Sequence, residues 1–249
     1  MTSYVFLALV AVVSGAMNAV AGGGTFISLP ALMSVGVPSV AANMTSTLAL
    51  CPGTFASAFA YRHDFRPFGD ASPILLLGVS LIGGAAGALL LIYTPSSAFD
   101  AIVPWLLLTG AIAFAFGARI GDFLRARMTL GKTALVVVQF FVGVYGGYFG
   151  AAVGLMMLAV WTIFGARDLK AMAAVRTLTV SVTNAMAIVF FIFIGQIFWR
   201  EAGVMLAGGV VGGYFGARAA RLLPPRTLRL GIAWLNFAMT AWVFWKAYG

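Results

Sequence analysis

From Met1 to Tyr61 this chain contains no Asp, Glu, Lys or Arg. A soluble fold has no place for such a run, because its surface must carry charged and polar side chains at short intervals. The pattern recurs along the sequence. Charge-free runs cover Ala71–Phe99, Ala101–Ala118, Thr133–Ala166, Thr177–Trp199, Ala202–Ala217 and Leu230–Trp245. A membrane-spanning helix needs roughly 20 mostly apolar residues, and these runs reach or approach that length. Transmembrane β-strands would instead alternate over segments of about 10 residues, and no sustained alternation is present. Only 8% of the residues are charged and 62% are hydrophobic, against about 25% charged in a soluble domain. The expected fold class is all-α, a polytopic membrane protein. The expected location is the cell membrane, multi-pass, which in a bacterium is the inner membrane.

The net charge of +9 raises the question of nucleic acid. The basic residues, however, sit in short loops between apolar runs, where they act as topology signals on the cytoplasmic side. The cluster Arg218, Arg221, Arg226 and Arg229 is also placed to touch anionic lipid. The lipid bilayer is thus an expected partner and nucleic acid is not. Cys51 is the only cysteine and His63 the only histidine, so no His/Cys metal cluster is expected. Neither a paired carboxylate nor a Ser/His/Asp set is evident. The expectation is no enzyme, no metal and no cofactor. Ala19-Val20-Ala21 has the small residues of a signal-peptidase site, but no basic segment precedes it, and the segment is expected to be retained.

The sequence is duplicated at an offset of 129 residues. Gly36 matches Gly165, Thr54 matches Thr183, Pro95 matches Pro224 and Trp105 matches Trp234. The glycines Gly83, Gly84 and Gly87 match Gly212, Gly213 and Gly216. Loop charge then orients the copies. The connection between them holds Arg119, Arg125, Arg127 and Lys132, which places it in the cytoplasm. In the first copy the loop Arg62–Arg66 is basic and the turn Thr94–Ser97 is uncharged. In the second copy the equivalent of the uncharged turn is basic, and the equivalent of the basic loop, near Phe191–Gly195, is bare. Copies in opposite orientation give that reversal. The expected domains are a first transmembrane repeat over 1–118, a cytoplasmic linker over 119–132 and a second repeat over 133–249.

Opposite orientation requires an odd number of crossings per repeat. Three are expected in each: 38–60, 71–92 and 98–118, then 167–194, 201–219 and 227–247. The remaining segments, 4–36 and 134–165, are too long for one crossing and short for two. Each is expected to be a helical hairpin broken within the membrane, re-entrant in character.

The first hairpin carries Asn18, Gly22, Gly23, Gly24 and Thr25, and the second Gly143, Gly146, Gly147, Gly150 and Gly154. Glycine permits a broken helix and close backbone approach. A helix N-terminus at such a break presents N–H donors and a positive dipole end to an anion. Small residues packed between helices are the competing explanation. The next helix in each repeat bears a polar stripe. It consists of Asn43, Thr47, Thr54 and Ser57 in the first, and of Arg176, Thr179 and Thr183, with Asn184 beside them, in the second. Arg176 occupies the position equivalent to Thr47. A buried arginine costs at least roughly 2.5 kcal/mol on insertion scales, and all six acidic residues fall in or near expected loops. A substrate anion is one partner for it; snorkelling to the interface is the other reading.

These residues resemble a known family. Asn18 and Gly22-Gly23-Gly24 ahead of Pro30, followed by Asn43-Met44-Thr45-Ser46-Thr47, are similar to the first motif of the sulfite exporter TauE/SafE family of two-repeat membrane permeases. The resemblance is looser in the second half, where Ala151-Ala152-Val153 stands where a glycine run is usual. It implies movement of sulfite, sulfonates or related organic anions. It also implies binding roles for Asn18, Gly22, Gly23, Gly24, Asn43, Thr45, Ser46 and Thr47. The function expected is a secondary transporter of a small anion working by alternating access. An anion channel and a non-transporting membrane subunit of a complex remain the alternatives.

Overall fold

The computed structural model describes residues 2–21, 23–68, 72–125, 131–220 and 225–248. Among these residues the chain forms ten α-helices, one short 3-10 turn at Arg62–Asp64, and no β-strand. The first five helices are α1 (Thr2–Ala21), α2 (Thr25–Ser34), α3 (Ser39–Ala60), α4 (Pro73–Tyr93) and α5 (Ser96–Arg125). The second five are α6 (Lys132–Tyr148), α7 (Val153–Ile163), α8 (Leu169–Phe193), α9 (Trp199–Ala220) and α10 (Pro225–Tyr248). Both sets run long, short, long, long, long. The hairpins expected at 4–36 and 134–165 are α1–α2 and α6–α7. Helix α5 continues to Arg125, into the stretch 119–132 expected to be linker.

At 1.5 Å per residue, α2 and α7 are about 15 Å long, half of a hydrocarbon core of about 30 Å. Neither can cross a membrane alone. By length and composition, Pro73–Tyr93, Ser96–Gly117 and Lys170–Phe193 can. Helix α3 has the length, but the polar side chains from Asn43 to Ser57 dilute its apolar character.

The two short helices end in the same way. After α2, the N–H of Val37 donates to Leu32 O and that of Gly36 to Met33 O, with Gly36 at φ +92. After α7, Ala166 donates to Trp161 O and Gly165 to Thr162 O, with Gly165 at φ +93. Both are Schellman caps, whose left-handed residue glycine adopts without a Cβ penalty. Every residue in one cap is 129 positions from its counterpart in the other.

Packing follows the same rule. Helix α1 lies on α9 and α6 on α4; α3 lies on α9 and α8 on α4; α2 meets α10 and α7 meets α5. Helices α3 and α8 pack on each other, as do α5 and α10. Exchanging the halves maps each of these pairings onto another or onto itself, as a two-fold relation does. The α1–α9 and α4–α6 contacts are closest. A Cβ on Gly212 would collide with Val12 O, one on Gly87 with Val144 O, and one on Gly147 with Gly84 O. Small residues let such backbones touch. Gly143 and Gly147 are therefore packing glycines inside α6, and the second break lies beyond them, at Phe149–Ala152.

A large apolar cluster joins α2, α5 and the second break through Phe26, Leu29, Leu32, Phe99, Leu107 and Phe149. A smaller one holds α7 against α8 through Met157, Trp161, Met172 and Val175. Buried within the α4–α6–α7 contact, Trp161 Nε1 donates to Gln139 Oε1 at 2.8 Å and Gln139 Nε2 to Ser80 Oγ at 2.7 Å. All three side chains of that short polar chain have a partner, which fixes α7 in place.

Candidate functional site

The two breaks open onto one cavity of about 100 Å³. Asn18 and Thr25 reach it from the first hairpin, and Gly150, Val153 and Gly154 from the second. Thr47, Leu50, Thr54 and Ser57 line it from α3, Tyr61 from just past the end of α3, and Arg176, Thr177, Val180 and Asn184 from α8. A water needs roughly 10–15 Å³ of such space, so a small oxyanion with some of its hydration fits. The lining runs along α3 to Tyr61, which adjoins the basic loop Arg62–Arg66.

Both short helices start here. Helix α2 is preceded by Gly24 and α7 by Ala152, and neither residue has a side-chain oxygen to cap the first turn. The leading N–H groups of a helix have no acceptor within it, and the dipole adds positive potential at that end. Ala152 reaches the start of α7 at φ +58, left-handed, next to Gly150 at φ +79. For a residue with a Cβ that conformation costs about 1 kcal/mol. Its counterpart in the first break is Gly23.

Arg176 is two turns into α8, whose first turn is capped by Asp168 accepting from Ala171 N. Its stem lies against the start of α7: a Cβ on Gly154 would stand 3.1 Å from Arg176 Cδ. Among the described residues Arg176 makes no hydrogen bond or ion pair. The one ion pair there is Arg66–Asp168, at 2.7 Å on the protein surface. Asp168 has its carboxyl held below the usual carboxylate range, first by the Ala171 N–H and then by Arg66.

The cavity hydroxyls donate to their own helix, Thr47 to Asn43 O and Thr54 to Cys51 O, while Thr177 donates to Ala173 O. A hydroxyl has one proton and two lone pairs. Turning that proton to an anion exchanges a neutral hydrogen bond for a stronger, charge-assisted one.

Of the expected site residues, Asn18, Thr25, Thr47, Thr54, Arg176 and Asn184 share the cavity. Gly22 lies outside the described residues. Gly24 packs tightly, since a Cβ there would stand 2.6 Å from Ser14 O. Gly23 packs against Met17 and faces Asn236. Asn43 is buried and donates through Nδ2 to Tyr148 O, the last carbonyl of α6 before the second break, at 2.9 Å. Ser46 hydrogen-bonds to Ser28, whose hydroxyl also reaches Gly24 O at the first break. Thr45 accepts from the N–H of Phe198, in the approach to α9, at 3.2 Å. These three side chains hold backbone rather than line the cavity. Thr179 is buried and donates to Val175 O, and Thr183 sits against Gly84. The cavity face of α8 instead carries Thr177, Val180 and Asn184, one, four and eight residues past Arg176.

Tyr61 and Thr177 line the cavity, and Ser28 supports the first break, without having stood out in the sequence. Thr177 is detectable as the neighbour of Arg176 once the helix face is turned. Ser28 gives no signal until a partner hydroxyl stands opposite.

The sequence profile of the sulfite exporter TauE/SafE family matches residues 7–243. The chain is 28% identical over 245 residues to the probable membrane transporter protein YfcA of Escherichia coli K12, covering 98% of this chain and 90% of that one. It is 30% identical over 231 residues to a probable membrane transporter protein of Haemophilus influenzae, covering 92% and 89%. A probable membrane transporter protein of Sinorhizobium, ORF9, is 30% identical over 236 residues, with the same coverage. No solved structure matches the chain. With a match over almost its whole length, the chain belongs to the sulfite exporter TauE/SafE family and is a membrane transporter of that type.

Proposed function

We propose that this protein is a secondary transporter of a small oxyanion, such as sulfite, a sulfonate or a related organic anion, in the cell membrane. The observation that carries the reading is Arg176, a cation without an acidic partner among the described residues, sharing one cavity with the starts of α2 and α7. An arginine and two helix N-termini make a concentration of positive potential that an anion would neutralise. The planar guanidinium suits two oxygens of a sulfite or sulfonate. Thr25, Thr47, Asn18 and Asn184 would complete the contacts.

Alternating access would come from the two repeats, 1–118 and 133–249, lying inverted in the membrane and rocking about the cavity between them. The exchanged helix pairings and the reversed loop charges support that arrangement. An inside-negative potential would favour export, by about 2.3 kcal/mol per charge per 100 mV.

The test is a thermal-shift screen of the purified protein against sulfite, sulfate, sulfonates and small carboxylates. A ligand that binds only the folded state raises its stability. Stabilisation by one of these anions, absent in the Arg176→Gln variant, is expected. No stabilisation by any, or equal stabilisation of both proteins, would refute the reading. The orientation is tested separately by cysteines at Ser96 and Thr227, which should label from opposite sides; labelling from one side would end the inversion.

A further inference from the structure

Asn236, on α10, is fully buried, and neither its amide nitrogen nor its amide oxygen has a hydrogen-bond partner. The amide nitrogen lies 4.0 Å from where a Cβ of Gly23 would stand, so it faces the first break. No α10 residue lines the central cavity among the described residues; Asn236 approaches the break from elsewhere. The residue 129 positions earlier is Leu107, equally buried. One repeat thus fills this place with an apolar side chain and the other with an amide whose burial is uncompensated. A buried amide without a partner is unfavourable, and Leu107 shows that the fold accepts an apolar residue there.

Thr240, one turn further along α10, is also buried, and its repeat partner is Ala111. The same face continues to Val243 and Ala247, which line a second cavity of about 490 Å³ together with Met33, Asp100, Trp242 and Lys246. Helix α2 makes the matching connection, with Thr25 in the central cavity and Met33 in the second. The seam of contact between α2 and α10 thus lies between the two cavities, with α2 lining both and α10 lining the second. The equivalent seam between α7 and α5 presents Leu107, Ala111 and Phe114, all apolar and buried.

We propose that the anion's route from the central cavity to the opposite face follows the α2–α10 seam, past Asn236 Nδ2 and Thr240 Oγ1, into the second cavity. The inference rests on the transporter reading above. An oxyanion leaving Arg176 needs donors on its way through an apolar layer, and these two side chains supply them. Thr240 donates to Asn236 O, and its hydroxyl can turn toward a passing anion. Lys246, 5.6 Å from the Trp242 ring centre, receives the anion, and the Asp100 carboxylate in the same cavity opposes its staying, which favours release.

The experiment replaces the seam by its repeat counterpart, Asn236→Leu with Thr240→Ala, and uses sulfite as the probe. Calorimetry on the purified variant should give an affinity within about 2-fold of wild type, with no loss of thermal stability. Efflux from sulfite-loaded proteoliposomes should slow by about 10-fold or more, since donors to a charged group are removed from the path. Wild-type efflux from the variant would overturn the seam, and so would loss of binding along with efflux in a folded variant. Absence of efflux from wild-type proteoliposomes would sink the transporter reading itself, and the seam with it. A second arm needs no core substitution. Ala247→Cys, in a Cys51→Ser background, should lose efflux when treated with an anionic methanethiosulfonate; unchanged efflux would count against the route.

Discussion

Asn43, Thr45, Ser46 and Thr47 on α3 have Met172, Ala174, Val175 and Arg176 as their counterparts on α8. The helices are equivalent in order and in their main packing neighbours, yet their side chains differ in kind. On α3, Asn43 holds the second break at Tyr148 O, Ser46 holds the first through Ser28, and Thr47 faces the cavity. On α8, Met172 and Val175 sit in an apolar cluster and Arg176 faces the cavity. A duplicated scaffold thus carries unduplicated chemistry. The physical reason is electrostatic. A cavity between two copies receives one residue from each, and two arginines there would repel each other at short range in a medium of low dielectric. One copy can supply the charge, which leaves the other to supply neutral donors and to fix the breaks.

The largest expected effect comes from the charged side. Arg176→Gln should weaken sulfite binding by about 3 kcal/mol, on the order of 100-fold, the scale of a bidentate contact to an ion. Arg176→Lys keeps the charge but loses the fork, and about 10-fold is expected. Thr47→Val, the equivalent change on α3, should cost only about 1 kcal/mol. Calorimetry on the three variants would show whether the asymmetry is real; equal losses would erase it.

Next is the lock on the breaks. Asn43→Met, which installs the counterpart residue, leaves Tyr148 O without its side-chain donor and should destabilise the protein by about 1–3 kcal/mol. Ser46→Val should cost about 1 kcal/mol. Thermal unfolding in detergent measures both. If neither variant is less stable than wild type, α3 does not hold the hairpins as described.

The breaks themselves should respond in opposite senses. Gly24→Ala drives a methyl into Ser14 O and should destabilise by about 1–3 kcal/mol. Ala152→Gly relieves a left-handed residue and should stabilise by up to about 1 kcal/mol. The same sign for both would mean that the two breaks are under similar strain.

The smallest effect belongs to Asp168, which caps α8. Its folded-state carboxyl titrates below the usual carboxylate range. The stability it contributes is therefore complete above the unfolded value, about 4, and is lost as pH falls through the lowered one. Asp168→Asn should flatten the acid limb of a stability–pH profile, lowering stability by a constant amount above pH of about 5 and converging with wild type in acid; a variant as stable as wild type at neutral pH would contradict the assignment.

Much of this architecture is legible in the amino-acid sequence. The charge-free runs and the repeat offset locate all ten helical segments because membrane length and duplication both act on the chain at long range. The first break is legible because Gly22-Gly23-Gly24 has few structural uses inside a helix. The second is drawn toward Gly143 and Gly147, since a glycine that admits a neighbouring helix and one that ends a helix look alike in sequence. Arg176 stands out by its isolation from acids. Thr179 and Thr183 group with it in sequence because a three- or four-residue step does not say which side of α8 meets the cavity; the packing of α8 on α4 decides that. The holding roles of Asn43 and Ser46 depend on contacts 105 and 18 residues away in sequence, and no local pattern reveals them.

The central claim is that one anion sits between Arg176 and the starts of α2 and α7. Selenite, an oxyanion of sulfite's shape with an anomalously scattering atom, tests it directly in crystals of the protein. The account predicts one anomalous peak within hydrogen-bonding reach of the Arg176 guanidinium and of N–H groups at Thr25 or Gly154, lost in Arg176→Gln crystals. A peak elsewhere, or one that survives the substitution in place, would contradict it.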